Sequence, residues 1–408
     1  MADFIVGNVV RDDDFWFRED FVDTLWQSLN KHNVLLVAPR RIGKTSVMYR
    51  LLDYPGKEWL VIHLNVEECK TPEEFFIDLV DAVNEHQPDY FRRFLVGGWD
   101  YLKGLFNRIE SVEAYELKVR IRKSEDLKQS WKSRLDELMG SVYCSKQRVL
   151  FIVDELPDML SAMRSNAVKE QAAFLHWFRK TREQSLKGSV RWLVGGSVNL
   201  VAALDRHNIV NLINDLKVEV LHPFDEEEVK AFVHGMFNRY SVTYDEAVIL
   251  RVLDLLGSPI PFFLQMLTEE LYRYWKKKKV PLAADDVNIV FNKTLLGETD
   301  RDKLQHYRSR LDVHYPEEDR EAARRILNHL SLKDEGETRD VLFQLFRQTE
   351  GLRTVARQGI ALDDAFQRLM LYLQSFFYIN DTGNGRYDFS SRLLKTWWRK
   401  YYGFESGY

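Results

Sequence analysis

One stretch limits what this chain can fold into more than any other: Val34-Leu35-Leu36-Val37-Ala38-Pro39-Arg40-Arg41-Ile42-Gly43-Lys44-Thr45-Ser46. It begins with an apolar run too short for a helix. A tight loop follows, and Gly-Lys-Thr then opens a segment with Val47, Met48, Leu51 and Leu52 at helical spacing. Strand, loop and helix in that order is the setting in which backbone N–H groups and a helix N-terminus together cradle phosphate. Ala38, Pro39, Arg40, Arg41, Ile42 and Gly43 would form the cradle. Lys44 would reach the β- and γ-phosphates, Thr45 would place its hydroxyl on Mg²⁺, and Ser46 follows in the same turn. Ala38 stands where such loops carry glycine, so its methyl group must fit a turn that glycine makes freely.

A second apolar run, Val149–Val153, ends in Asp154 and Glu155. In open α/β sheets ligands bind outside the carboxyl ends of the strands. Two carboxylates there, about a hundred residues after a phosphate loop, suit metal-assisted hydrolysis. Asp154 would hold Mg²⁺ through water, and Glu155 would orient or deprotonate the attacking water. Trp59–Asn65, Val190–Ser197 and Val218–Leu221 read as further buried strands. Their alternation with helical patterns from residue 34 to 221 predicts an α/β fold with a doubly wound parallel sheet. Ser197 and Asn199 follow the fourth run and would meet the γ-phosphate or its water, or would be plain turn residues. Thr71-Pro72-Glu73-Glu74 has the form of a capped helix start. Residues 91–122 lose the pattern and read as an insertion, with helix returning over 124–139. Upstream of the loop, Val9 and Val10 are placed to pack on a base or serve ordinary packing. Asp12-Asp13-Asp14 caps the next helix or is a solvated loop.

After Pro223 the strands stop. Helical patterns over 225–240, 244–256, 261–275 and 284–293 are interrupted by the rigid Gly257-Ser258-Pro259-Ile260-Pro261. From residue 317 three helical stretches lead to a strand, the hairpin turn Asp381-Thr382-Gly383-Asn384-Gly385, a returning strand, and a closing helix over 391–402. Three helices and a hairpin form a winged-helix pattern. The expected organisation is a nucleotide-binding domain at 1–222, a helical lid at 223–300, a linker at 301–316 and a winged-helix-like domain at 317–408.

The chain has 408 residues, enough for two or three domains, with 45% apolar and 29% charged residues. A net charge of −4 gives no overall attraction to nucleic acid. Cys69 and Cys144 have no metal-ligand spacing and suit a reducing compartment. No leader segment or apolar run of membrane-spanning length is present, so the expectation is a cytoplasmic protein without membrane contact. No nuclease, protease or kinase motif stands elsewhere.

Pro39–Ser46 and Val153-Asp154-Glu155-Leu156 resemble the archaeal-type P-loop ATPases, whose relatives include the STAND signalling NTPases and the origin-recognition-like AAA+ ATPases. That resemblance covers nearly the whole chain. It implies ATP and Mg²⁺ as cofactors, with Lys44 and Thr45 on the phosphates and metal, and Asp154 and Glu155 as the metal and water-activating pair. It further implies Ser197 as a first sensor, Asn65 as a polar residue restraining the catalytic Glu155, and Gly257 and Pro259 near the lid element that touches nucleotide. No lid arginine matches a second sensor; Arg179 and Arg182 would act as arginine fingers or simply end a solvated helix. The function implied is a slowly hydrolysing switch ATPase acting through a partner protein or a homo-oligomer. The alternative is a DNA-binding ATPase using the winged helix, with Lys276–Lys279 and the basic, aromatic closing helix as its footprint.

Overall fold

The computed structural model describes residues 4–39, 41–86, 125–143, 147–166, 168–185, 188, 190–196, 210–297, 301–315, 317–349 and 362–403. Arg40, Cys144, Ser197, Asn199 and the insertion expected at 91–122 lie outside them. The chain divides into two compact units. The sheet unit comprises Arg18–Ala38 and Lys44–Leu221; the helical unit comprises the chain up to Phe17, Pro39–Gly43 and everything from His222 onward.

The sheet unit is built on five parallel strands: β1 (Val34–Val37), β2 (Trp59–Asn65), β3 (Arg148–Asp154), β4 (Val190–Gly196) and β5 (Lys217–Val220), in the order β2-β3-β4-β1-β5. The three central strands are buried along almost their whole length, as strands covered on both faces must be. Around them run α1 (Glu19–Leu29), α2 (Lys44–Asp53), α3 (Pro72–His86), α4 (Glu125–Tyr143), α5 (Leu156–Asn166) and α6 (Val168–Ser185). The capped start expected at Thr71 is present: the Glu74 N–H donates to the Thr71 hydroxyl at 3.3 Å. The Glu74 carboxylate reaches one residue further back than a capping box requires, to the Lys70 N–H at 2.5 Å. Aromatic packing joins α6 to the sheet, with Phe151 stacked on Trp192 at 4.6 Å between centroids and Phe178 edge-on to Trp192 at 5.1 Å.

A buried amide fixes the entry to β1. Asn33 donates to the Arg182 carbonyl at 3.0 Å and accepts from the Trp192 N–H at 3.0 Å. It therefore pins the end of α6 and the Trp192 position of β4 to the residue just before β1. Arg182 is fully buried, with a two-pronged pair to Asp215 at 2.9 and 2.7 Å and its guanidinium 4.4 Å above the Phe178 ring. It is an internal brace, so the arginine-finger reading fails for this residue. Arg179 is paired along its own helix with Glu183 at 2.8 Å.

In the helical unit, α7 (Glu226–Arg239) opens with a full capping box between Asp225 and Glu228. It is followed by α8 (Ala247–Leu256), α9 (Pro261–Lys278), α10 (Ala284–Val290) and α11 (Arg301–His314). Then come α12 (Glu317–Leu332), β6 (Glu337–Thr338), α13 (Arg339–Arg347), α14 (Leu362–Ser375), β7 (Ile379–Gly383), β8 (Arg386–Phe389) and α15 (Arg392–Tyr402). The last three strands form an antiparallel sheet in the order β6-β8-β7. Its hairpin turns through Gly383, Asn384 and Gly385, all at positive φ, which explains the Gly-Asn-Gly sequence. The N-terminal segment packs within this unit: Phe4 stacks on Tyr240 at 4.9 Å, and Trp16 lies so close to Gly235 that a Cβ there would stand 2.6 Å from the indole.

Candidate functional site

β1 and β3 are separated in the sheet by β4, and the residues after both converge at its carboxyl end. Lys44 is the first residue of α2, and Asp154 closes β3. The Lys44 ammonium lies 2.8 Å from Asp154 Oδ1 and 3.2 Å from Glu155 Oε1. The Thr45 hydroxyl donates to Asp154 Oδ2 at 3.0 Å, and the Glu155 N–H donates to Asp154 Oδ1 at 2.9 Å. Two adjacent pairs of residues, Lys44-Thr45 and Asp154-Glu155, thus form one cluster around an Asp154 that is 1% exposed.

The two carboxylates are pushed in opposite directions. Burial alone would raise Asp154, but the Lys44 charge and hydrogen bonds from Lys44 and Thr45 hold it below the ordinary carboxylate range. Glu155 is raised: burial is the main cause, the charges of Asp154 and Asp158 add to it, and Lys44 opposes it. Burial would depress the Lys44 ammonium, yet the two acids raise it. Neighbouring acids whose environments separate them in this way can divide a task, one staying ionised while the other exchanges a proton. Glu155 also has φ +60°, a left-handed conformation that a glutamate adopts at a cost of about 1 kcal/mol or more.

Two signals here escape a reading of motifs. Asp158, one turn along, contributes to raising Glu155. Gly195 is the other: a Cβ built there would stand 2.5 Å from Met48 Cε and 2.6 Å from Asp154 Oδ1. The glycine pair that ends β4 is the sequence trace of that close approach. Gly195→Ala should therefore displace the Asp154 carboxylate or the start of α2. The expected result is at least a ten-fold loss of nucleotide affinity or turnover, a change of about 1.4 kcal/mol, measured by titration and phosphate release. An unchanged variant would show that the strand end has slack.

Mg²⁺ prefers hard oxygen donors and keeps several waters. The Thr45 hydroxyl and Asp154 carboxylate, 3.0 Å apart at the head of α2, supply such donors and fit that ion. Among the described residues no group of three or more His, Cys, Asp or Glu gathers to hold a metal by itself.

The other residues singled out from the sequence are dispersed. In the phosphate loop, Ala38 and Ile42 are buried, Ser46 is 8% exposed, and Gly43 has φ +99° with open space where a Cβ would stand. Pro39 is buried. Arg41 has φ +65°; its guanidinium lies 4.0 Å above the Phe262 ring, and its Nε donates to His306 Nε2 at 3.2 Å. Asn65 is in register with Asp154, but its Oδ1 accepts from the Glu67 N–H at 2.9 Å. Val9 is 40% exposed, and Val10 lines a small cleft with Phe4, Trp16 and Met236. Pro259 is half-buried and its carbonyl accepts from the Phe224 N–H at 3.2 Å. Gly257 packs on Arg392, where a Cβ would stand 3.0 Å from the backbone nitrogen.

The basic residues of α15 have internal partners. Arg392 pairs with Asp254, Lys395 with Asp388 at 2.7 Å, and Arg399 with Asp334 at 3.0 Å, while Lys400 donates to the Leu296 carbonyl at 2.6 Å. Within the lysine run, Lys278 holds Asp286 at 2.7 and 2.8 Å. No helix among the described residues is long and apolar enough to cross a membrane.

No protein-family model matches the sequence, and a search of the curated proteins finds no match. Solved structures do match. The Walker-type ATPase of Pyrococcus abyssi aligns with TM-score 0.62 at 17% identity, covering 97% of this chain and 99% of that one. The ORC2 protein of Aeropyrum pernix, in its ADPNP–ADP complexes, aligns with TM-score 0.54 at 11% identity, covering 95% and 92%. The chain thus has the fold of an ORC-like AAA+ ATPase core, with the P-loop α/β sheet expected from the strand pattern.

Proposed function

We propose that this protein binds ATP with Mg²⁺ and hydrolyses it slowly, using nucleotide state to control association with a protein partner or with further copies of itself. The observation that carries this reading is the buried Lys44–Asp154–Glu155 cluster with Thr45 at its edge. The A. pernix structural neighbour holds ADPNP and ADP, the same ligand class.

The order of events follows from the electrostatics. Without nucleotide, Lys44 neutralises the acids that would otherwise be buried and unpaired. Incoming phosphate oxygens compete for the ammonium, so Lys44 shifts its charge toward them. Mg²⁺, when bound, would spread the charge of the β- and γ-phosphates. Asp154, held ionised, and the Thr45 hydroxyl are the side chains to hold it. Glu155, raised by burial, is suited to take the proton of the attacking water.

Coupling to protein is favoured over DNA by α15. Its cations are paired with acids of the same unit, Lys395 in a largely buried pair and Arg392 and Arg399 in exposed ones, so a polyanion would have to displace those acids, and the net charge of −4 adds no attraction. The strand order β6-β8-β7 with α12, α13 and α14 supports reading this region as a winged helix, a fold that serves protein contact as well as DNA binding. ATP turnover with and without double-stranded DNA, across a salt series, tests the proposal. The expected result is a slow rate indifferent to DNA. A DNA-stimulated rate falling steeply with salt would overturn the protein-coupled reading, and absence of nucleotide binding would overturn the whole.

A further inference from the structure

We infer that Arg41 is a positioning residue that transmits the state of the phosphate loop to the C-terminal helices through His306, Tyr307 and Tyr378. The inference rests on the nucleotide-binding reading above and adds the route by which that site would be read out.

Arg41 lies within the loop, three residues before Lys44, yet its side chain has an anchorage of its own inside the helical unit. Phe262, near the start of α9, offers its ring face at 4.0 Å, and His306 of α11 accepts from Nε at 3.2 Å. Gly7 closes the arrangement: at φ +85°, a Cβ there would stand 3.5 Å from the Phe262 ring and 3.6 Å from Arg41 Nη1. An arginine offers both a planar face for stacking and a directed Nε donor, a combination that lysine lacks. The anchored residue also holds φ +65°, a conformation that L side chains disfavour and that persists only when surroundings impose it. Loop backbone and side-chain anchorage are therefore tied at one residue, and a phosphate that re-forms the loop must pull on Phe262 and His306.

The contact continues onward. The His306 and Tyr307 rings lie 4.3 Å apart on α11. The Tyr307 carbonyl accepts from the Tyr378 hydroxyl at 2.5 Å, and the two tyrosine rings meet edge to face at 6.1 Å. Burial pushes the Tyr378 phenol well above its usual range, so it stays a neutral donor. Tyr378 in turn meets Trp398 of α15 edge-on at 6.2 Å. Packed side chains with discrete arrangements can carry such coupling, and only a perturbation along the path demonstrates it.

The test uses the full chain and hydrogen exchange over residues 301–314 and 376–403, with ADP and with a non-hydrolysed ATP analogue. Nucleotide affinity is measured in parallel. In the unmodified protein the two nucleotides should produce different protection in both segments. His306→Leu removes the acceptor and should abolish that difference. His306→Gln restores an acceptor and should recover it. Affinity should stay within about two-fold in both variants, since neither change touches the phosphate cradle. Arg41→Lys gives an independent arm that keeps the charge and loses the Nε donor, and it too should silence the response. A nucleotide-dependent difference that survives His306→Leu and Arg41→Lys overturns the inference while leaving nucleotide binding in place. Absence of nucleotide binding by the unmodified protein removes the inference together with the function on which it rests.

Discussion

Glu155→Gln is expected to leave ATP binding intact while lowering turnover by about a hundred-fold or more, the usual worth of a positioned general base. The amide keeps the size of the carboxylate but cannot accept the proton of an attacking water. It also removes one of the two negative charges facing Lys44 at 2.8 and 3.2 Å. The ammonium is then freer to meet phosphate, so affinity should hold or improve. Nucleotide titration and single-turnover phosphate release separate the two effects. Equal turnover in variant and parent would remove Glu155 from the chemistry. The pH profile offers a second check. Because Glu155 is raised in the free protein by burial and by Asp154 and Asp158, the parent's kcat/KM should fall, as pH is lowered, through a value above the ordinary glutamate range. The slow residual rate of the variant should lack that limb.

Lys44→Ala should abolish measurable nucleotide binding, because it removes the one cation the cluster offers to the phosphates. It should also destabilise the fold by about 3 kcal/mol, the lower end for breaking a buried pair, since Asp154 keeps its Thr45 and Glu155 N–H donors. The sign of the pH dependence can be worked out for each partner. Asp154 is lowered in the fold, so its contribution is present above the unfolded aspartate value and is lost as pH falls through the folded one. Lys44 is raised, so its contribution is present below the unfolded lysine value and is lost as pH rises through the folded one. Near neutrality both contributions operate, and the variant loses them together. Adding Asp154→Asn should recover part of the stability, read by urea unfolding, without restoring binding. Recovery of binding in the double variant would mean that the phosphates are held elsewhere.

The parts of this site legible in the sequence were those encoded locally. An apolar run, a loop and Gly-Lys-Thr specify strand, turn and helix within thirteen residues of chain, and the fold of the Walker-type ATPases agrees with that reading. Asp154 and Glu155 are legible because they follow directly on five consecutive apolar residues, Val149–Val153. What escaped depends on neighbours distant in sequence. Gly195 must be small because Met48 and Asp154 occupy the space that a Cβ would need, and no motif encodes that crowding. Arg182 looked like the basic end of a surface helix; Asp215 and the Leu212 carbonyl, which follow it in the chain, draw it inside. The cations of α15 looked like a polyanion footprint, yet their acidic partners are drawn from three separate stretches, at Asp254, Asp334 and Asp388. Charge composition can be counted from sequence, but pairing requires the fold.

The left-handed backbone at Glu155 has a consequence for how this chain can change. Glycine would adopt φ +60° without the steric cost that glutamate bears, so at that position the residue best suited to the backbone and the residue suited to the chemistry differ. Directed evolution toward heat tolerance alone would be drawn to shed the glutamate and keep the fold. If Glu155 activates water as proposed, a lineage that keeps it does so against that pull, under selection for turnover.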